Sequence, residues 1–295
     1  MQTKERTYQW LMNVIMAGLA CICVLPFILL FSASLTSQDA IIANGFTFIP
    51  TVFSTDAYVY LWNDAAKIAR AYGVTVFVTV VGTAASLIIT TLLAYPLSRK
   101  DLPLRNVLAF FIFFTLLFNG GLVPLYLVYT KLFELKNTIW ALIVPIGLTN
   151  AFFVMITRTF FQTTIPGEVV ESGKIDGAGE LKIFVSIVLP LSLPILATVG
   201  LFQTIHYWND WFNGLIFLTD SKLFSIQNML NRILLDAQFL STMDFGAVQD
   251  NMTATIPTQT IRFAIAVIGV VPILLIYPFF QSFFVKGLTV GAVKG

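Results

Sequence analysis

Residues 71–97 read AYGVTVFVTVVGTAASLIITTLLAYPL, a run without any Asp, Glu, Lys or Arg. An α-helix needs about 20 apolar residues to cross the roughly 30 Å hydrocarbon core of a bilayer. The run exceeds that length, and its polarity does not alternate as it would in the strands of a membrane barrel. It therefore predicts a transmembrane helix.

Five other stretches share this length and this lack of charge. Together with residues 71–97, the predicted spans are 10–34, 106–130, 137–157, 183–207 and 263–285. Composition also indicates a lipid environment, because 57% of the residues are hydrophobic and 11% are charged, against about a quarter charged in soluble domains. We predict an all-α integral membrane protein, a bundle of six transmembrane helices that forms one domain over residues 1–295.

The positions of Lys and Arg predict how the chain is oriented in the membrane. With the N-terminus inside the cell, ten of the 17 basic residues fall on the cytoplasmic side, where they normally accumulate. The bias is sharpest in the short loop 99–105. Both termini are therefore expected in the cytoplasm, and residues 158–182 form a polar cytoplasmic segment. No block of consecutive Lys or Arg indicates nucleic-acid binding.

Within that cytoplasmic segment, residues 165–180 read IPGEVVESGKIDGAGE. Pro166 suits the first turn of a helix, the helix dipole favours Glu168 there, and Gly177 ends or bends the helix. The charges fit either a solvated loop or a docking surface for a soluble partner. The small residues at 173 and 177–179 favour docking, because they allow close backbone approach.

The same segment resembles the EAA loop in the permease subunits of bacterial ABC importers. That loop reads Glu-Ala-Ala, three residues, Gly, nine residues, Ile, one residue and Leu-Pro. The matching positions here are Glu171, Ser172, Gly173, Gly177, Ile187, Leu189 and Pro190. Ser172 and Gly173 replace the two alanines, small for small. The Asp-Gly-Ala and Pro-Leu-x-x-Pro of the sugar-importer motif occur at 176–178 and 190–194.

The resemblance extends along the chain. The six spans, the long outer loop after the first and the YWNDW stretch at 207–211 resemble the MalG-type member of a sugar permease pair. The chain end, 277–295, is similar to the branch that serves complex oligosaccharides, including uronides such as alginate. The resemblance implies the fold of type I ABC importer permeases with a cytoplasmic coupling helix. It implies the function of one permease subunit of an ATP-driven oligosaccharide importer in the bacterial inner membrane.

It also implies partners: a second homologous permease, two ATP-binding subunits and an extracytoplasmic solute-binding protein. In this family the EAA loop is seated in a cleft of the ATPase. Coupling to the ATPase is thereby assigned to Glu171, Ser172, Gly173, Asp176, Gly177 and Ala178. Glu171 would make a polar contact, while Gly173 and Ala178 would pack closely. Gly177 would supply the bend, and Asp176 would cap the second helix.

The sequence offers no site for ATP or a metal. A P-loop needs Gly-x-x-x-x-Gly-Lys-Ser/Thr, whereas the run from Gly167 to Ile175 has one residue too many and Ile in place of the hydroxyl. The single His and the two Cys, both inside the first span, give no zinc site. We expect a non-enzymatic chain without a cofactor, with ATP and Mg²⁺ held by the partner ATPase subunits.

The substrate path is less clearly marked. Trp208, Asn209 and Trp211, just after the fifth span, fit either anchoring at the membrane interface or a gate of the path. Asn119, in the Asn-Gly-Gly of the third span, fits either a helix break that lines the path or a packing site for a neighbouring helix. His206 is interpreted as a satisfied polar residue at the membrane edge.

An ion-coupled secondary sugar transporter is the alternative function. Such proteins usually place ionisable residues inside the bundle and often contain inverted repeats. The six predicted spans carry no Asp, Glu, Lys or Arg, which favours the ATP-driven importer.

Overall fold

The computed structural model describes residues 2–145, 147–242, 259–272 and 274–275. Regular structure in these stretches is helical, and Thr36 and Phe53 form an isolated antiparallel bridge. The all-α fold predicted from the sequence is thereby confirmed.

The helices vary widely in length. They are α1 Gln2–Ser34, α2 Gln38–Asn44, α3 Asp56–Asn63, α4 Ala65–Ser98, α5 Arg105–Leu117, α6 Leu122–Leu127, α7 Ala151–Thr164, α8 Gly167–Ile175, α9 Glu180–Ile183, α10 Leu189–Leu191, α11 Leu193–Trp208, α12 Phe212–Phe217, α13 Ile226–Thr242 and α14 Gln259–Pro272. Wider π-helical turns extend α6 at Val128–Leu132 and join α9 to α10 at Phe184–Val188. Two 3-10 turns lie at Ile139–Leu142 and Ser221–Leu223.

In the described part of the chain, two helices are each long and apolar enough to cross a membrane alone. Tyr8–Ser34 of α1 has 27 residues with a hydropathy of 2.8, and α4 has 34 residues with a hydropathy of 2.2. These helices include the predicted spans 10–34 and 71–97.

Two further spans would each consist of a sharply bent pair of helices. The helix Arg105–Leu117 meets Leu122–Leu132 at 112°, and Glu180–Leu191 meets Leu193–Trp208 at 79°. At the first bend Gly121 has a φ of +87°, which L side chains rarely adopt. Its main-chain N–H donates to the side-chain carbonyl of Asn119 at 2.9 Å. Proline beside the second bend cannot donate the N–H that a continuous helix requires.

The fourth predicted span, 137–157, is not one continuous helix. Residues 143–145 and 147–150, between the 3-10 turn and the start of α7 at Ala151, contain only turns and irregular chain. The side-chain carbonyl of Asn150 accepts from the N–H of Phe152 at 2.9 Å and caps α7. Pro145 lacks an N–H, and Gly147 also disfavours a continuous helix. Neither residue is charged, so a search for long uncharged runs does not detect the break. Beyond α14, the rest of the sixth predicted span and the chain end lie mostly outside the described residues.

Contacts within the chain group it into two compact units. One comprises Met1–Ile68 and Leu230–Pro272, and the other comprises Ala69–Met229 and Ile273–Gly295. The first has a core of α3 and α14 side chains that includes Leu61 and Ile265. The single domain over 1–295 remains a prediction from the sequence.

The second unit contains two cores. One joins α4, α5 and α7 to the EAA segment; it contains Ala94, Leu97, Ala109, Val154, Phe161, Ile165, Val170, Ile183, Phe184 and Val188. The other surrounds Tyr207 near the end of α11. The core that includes Val170 and Ile183 holds the EAA segment, and with it the predicted coupling residues, against α4, α5 and α7.

Candidate functional site

Helix α8 presents one face to the protein and another to the outside. Pro166 stands at its N-cap with extended backbone angles, where a missing N–H costs little. Val170 and Gly173 are buried, whereas Glu171 and Ser172 are exposed. Every third or fourth residue of a helix shares a face, so the buried residues anchor α8 and leave Glu171 outward.

A Schellman motif ends α8. The N–H of Ala178 donates to the carbonyl of Gly173 at 3.0 Å, and the N–H of Gly177 donates to the carbonyl of Lys174 at 3.0 Å. Gly177 has a φ of +78°, the left-handed conformation that this motif requires after a helix. The bend predicted at Gly177 therefore has a specific backbone geometry.

The role predicted for Asp176 is wrong in one respect. Asp176 is the C-cap residue of α8, whereas Gly179 occupies the N-cap of α9. The left-handed turn at Gly177 delays the second helix until Glu180. Asp176 therefore belongs to the end of the first helix and does not cap the second.

Gly173 lies where a side chain would be crowded. A Cβ added there would be 3.1 Å from Cδ1 of Ile187 and 3.4 Å from Cγ1 of Ile183. Ile183 is fully buried, and Ile187 is the isoleucine of the EAA motif. Gly173 therefore lets α8 sit against the helix that follows it.

A network of charges ties this segment to the loop after α4. Lys174 Nζ lies 2.9 Å from Glu180 Oε1 and 3.3 Å from Asp101 Oδ2. Arg99 Nε pairs with Asp101 Oδ1 at 3.3 Å, and the Tyr95 hydroxyl donates to Glu180 Oε2 at 2.7 Å. Sequence reasoning missed the roles of Tyr95 and Asp101, which lie more than 70 residues before Glu180 and Lys174, and with them the role of Arg99 beside Asp101.

The pKa values in this network shift as its contacts require. The hydrogen bond to Glu180, and then the one to Asp101, raises the pKa of Lys174. The pKa of Asp101 is lowered, chiefly by its own main-chain N–H and then by the hydrogen bond from Arg99. Each shift favours the charged form that the network uses.

Two side chains of α7 fix the end of α4. Arg158 Nε donates to the carbonyl of Leu97 at 3.0 Å, and Gln162 Nε2 donates to the same carbonyl at 3.4 Å. The last carbonyls of a helix have no partner within the helix, so these donors satisfy one and hold α7 against α4. The loop that carries Asp101 is positioned as a result.

A cavity of about 430 Å³ opens beside α8. Its walls come from the end of α4, the following loop, α7 and α8, and include Arg99, Gln162, Glu171 and Lys174. Beyond it, Ile175 is 86% exposed and Leu181 is 72% exposed. The segment therefore combines charged and apolar groups on an open surface.

The residues predicted for the substrate path have different environments. Trp208 is buried, Asn209 forms the C-cap of α11 and Trp211 is exposed before α12. Asn119 is exposed and shapes the bend between α5 and α6. A path role for these four residues stays a prediction.

Sequence and structure comparisons give consistent results. The family described as "Binding-protein-dependent transport system inner membrane component" matches residues 86–290. The polygalacturonan/rhamnogalacturonan transport system permease protein YtcP of Bacillus subtilis is 42% identical, over 99% of this chain and 100% of its own length. Protein LplC of the same organism is 39% identical, over 95% of this chain and 92% of its own.

A solved structure agrees. A chain from a crystal structure of a bacterial ABC transporter involved in the import of the acidic polysaccharide alginate matches with a TM-score of 0.80 and 28% identity. The match covers 95% of this chain and 98% of that one. The protein is thus a membrane-embedded permease subunit and not an enzyme, and it belongs to the family of inner-membrane components of binding-protein-dependent transport systems.

Proposed function

We propose that this chain is one of two permease subunits of an ATP-driven oligosaccharide importer and couples to the ATPase subunits through α8 and the turn after it. The observation that carries this proposal is the division of α8 into a buried and an outward face. Val170 and Gly173 are buried and anchor the helix, while Glu171 and Ile175 are exposed.

The surface of the segment has the composition of a docking site. Ile175 is 86% exposed, and the positive-inside rule assigns residues 158–182 to the cytoplasm, where lipid would not cover it. Protein interfaces combine an apolar centre with a polar rim. Ile175 and Leu181 would supply the apolar part, and Glu171 a polar contact.

Rigidity supports coupling as well. The Schellman turn and the Lys174–Glu180 pair hold the segment together. Asp101 connects it to the loop after α4, and the Tyr95 hydroxyl connects it to α4 itself. The second half of the motif runs directly into α10 and α11. A movement of a docked ATPase would therefore be transmitted to helices of the membrane domain.

The remaining subunits follow from this role. The chain would pair with a homologous permease, two ATP-binding subunits and an extracytoplasmic solute-binding protein. ATP and Mg²⁺ would be bound by the ATPase subunits, and this chain would bind no cofactor. Both termini would lie in the cytoplasm.

For the substrate we propose an oligosaccharide that contains uronic acids. One relative is described as transporting polygalacturonan and rhamnogalacturonan, and the matching solved structure concerns import of alginate. The backbones of galacturonan and alginate consist of uronic acids, and rhamnogalacturonan contains them. We therefore propose that this chain transports fragments of a polymer that contains uronic acids.

Co-purification from native membranes tests the coupling surface. Tagged wild-type chain should recover an ATPase and a second permease, and Glu171→Lys should reduce ATPase recovery. Glu134→Lys makes the same charge change at an exposed position outside the segment and serves as the matched control. Wild-type chain that purifies alone and transports sugar without ATP would instead establish the ion-coupled alternative.

A further inference from the structure

A second cavity lies away from the EAA segment, between the start of α7 and the last turns of α11. Its volume is about 260 Å³. Asn150, Phe153, Phe202, Gln203 and His206 line it together with Gly147 and Ile205. These residues contribute amides, an imidazole and aromatic rings, and none of them carries a carboxylate, ammonium or guanidinium group.

One wall of the cavity is aromatic. The rings of Phe153 and Phe202 stack with their centroids 6.0 Å apart and an interplanar angle of 25°. The negatively polarised face of an aromatic ring attracts positively polarised groups. The C–H face of a pyranose ring is such a group, and it is flat enough to lie on a phenyl ring.

A buried amide faces the same cavity. Gln203 is 1% exposed, and its Nε2 has no hydrogen-bond partner among the described residues. A buried donor without a partner is destabilising, so this amide favours a ligand that can accept from it. A hydroxyl group entering the cavity would supply the missing acceptor.

Two more polar groups are placed to contribute. The side-chain carbonyl of Asn150 caps α7, which leaves its amide N–H groups as the donors that it can present. His206 is exposed and packs edge-on against Tyr207 at 5.7 Å. Its imidazole can both donate and accept, as the hydroxyls of a sugar can.

We infer that this cavity is a subsite for one pyranose ring of the transported oligosaccharide, an assignment that rests on the proposed function. The ring stacks on Phe153 and Phe202, and its hydroxyls bond to Gln203, Asn150 and His206. Pockets for drug-sized ligands measure about 300–1,000 Å³, so this smaller cavity takes a single ring. The amides and the imidazole in its wall match the donors and acceptors of the ring hydroxyls.

Uptake by the reconstituted importer tests this assignment. The complete complex in proteoliposomes, with its solute-binding protein, is supplied with radiolabelled trigalacturonate. Gln203→Met keeps the side-chain length but removes the amide, and Phe202→Leu removes the ring. Each should raise the concentration for half-maximal uptake about 3- to 10-fold.

Thr204→Val is the matched control. Thr204 is adjacent on α11, does not line the cavity and donates within its own helix to Gly200. It should transport as wild type does. If Gln203→Met and Phe202→Leu also matched wild type, the subsite assignment would be overturned while the importer function stood. Failure of the wild-type complex to import the trisaccharide with ATP would instead overturn the proposed function and the subsite with it.

A labelling experiment keeps the test independent of the stability of the Gln203 variant. Ile205→Cys, in a chain whose Cys21 and Cys23 are replaced by Ala, places a thiol in the cavity wall. Trigalacturonate should slow its reaction with a maleimide in the assembled complex, and should leave Lys136→Cys, an exposed position outside the cavity, unchanged. Equal labelling of Ile205→Cys with and without the sugar would contradict the subsite.

Discussion

The main-chain N–H of Ala178 donates to the carbonyl of Gly173, five residues earlier, at 3.0 Å. This bond closes the turn between α8 and α9 and brings together two positions of the EAA motif. It exists because Gly177, between them, adopts a φ of +78°. The orientation of the proposed coupling surface therefore depends on one backbone conformation.

Gly177→Ala should destabilise this turn. A left-handed conformation costs an L residue about 1–2 kcal/mol, so we expect a lower midpoint of thermal unfolding in detergent and weaker ATPase binding. Gly167→Ala is the control, because Gly167 lies at the other end of α8 with no atom near its added Cβ and no positive φ. Equal unfolding midpoints for the two variants would show that the turn is not strained.

Gly173 should tolerate Ala much better than Leu. The added Cβ is 3.1 Å from the terminal Cδ1 of Ile187, an atom that can move aside slightly. A leucine side chain would overfill the contact and cost about 1–3 kcal/mol, displacing α8 from its core. Thermal unfolding of the purified variants measures the difference. A Gly173→Leu chain as stable as Gly173→Ala would mean that α8 is not packed against Ile187.

A side chain at position 82 should clash with the ring of Tyr207. A Cβ at Gly82 would lie 2.6 Å from the Tyr207 ring, whose hydroxyl donates to the carbonyl of Ile143 at 3.0 Å. Gly82→Ala should therefore cost about 1–3 kcal/mol in unfolding free energy. The cost should shrink in a Tyr207→Leu background, because contacting residues are coupled.

Gly73→Ala provides the comparison within α4. No atom lies within 4 Å of a Cβ at Gly73, so this change should be neutral or slightly stabilising through helix propensity. A Gly82→Ala penalty that stays the same without the tyrosine ring would contradict the packing described for Tyr207.

The Lys174 network should stabilise the segment over the physiological pH range. Because the pKa of Lys174 is raised above its ordinary value of 10.5, this lysine stabilises the folded chain fully below pH 10.5. The stabilisation is lost as the pH rises through the pKa of the folded state. Because the pKa of Asp101 is lowered below its ordinary value of 3.8, this carboxylate stabilises the folded chain fully above pH 3.8, and the stabilisation is lost as the pH falls through the pKa of the folded state. The stability difference between wild type and Lys174→Met should thus be constant from about pH 5 to about pH 9.

That difference should be small, since exposed ion pairs contribute little, and it should shrink with added salt. Lys182→Met, at another exposed lysine of the segment, controls for the loss of charge alone. A difference that changed sharply between pH 6 and pH 8 would point to another titrating group.

Sequence reasoning succeeded where a local pattern had a local cause. Pro166 and Gly177 mark the start and end of α8 because their backbone restrictions act at one residue. It failed for residues 137–157, where hydropathy did not register the cap at Asn150. The contact between Tyr95 and Glu180 could not be read from sequence, since 85 positions separate them.

The same limit applies to the cavity on α11. The sequence favours a satisfied polar residue at the membrane edge for His206, and it gives no signal for Gln203. Only the packing of α7 against α11 brings both of them near Asn150 and the Phe153 ring. Groups that meet through tertiary packing carry no fixed spacing in the chain.

Site-specific photo-crosslinking in native cells tests the coupling surface most directly. A benzophenone-bearing residue at position 175, where Ile175 is 86% exposed, is compared with one at position 49, where Ile49 of the first outer loop is 78% exposed. We predict an adduct with the ATPase subunit from position 175 and none from position 49. An ATPase adduct from position 49, or its absence from position 175 in a transporting complex, would contradict the proposed coupling surface.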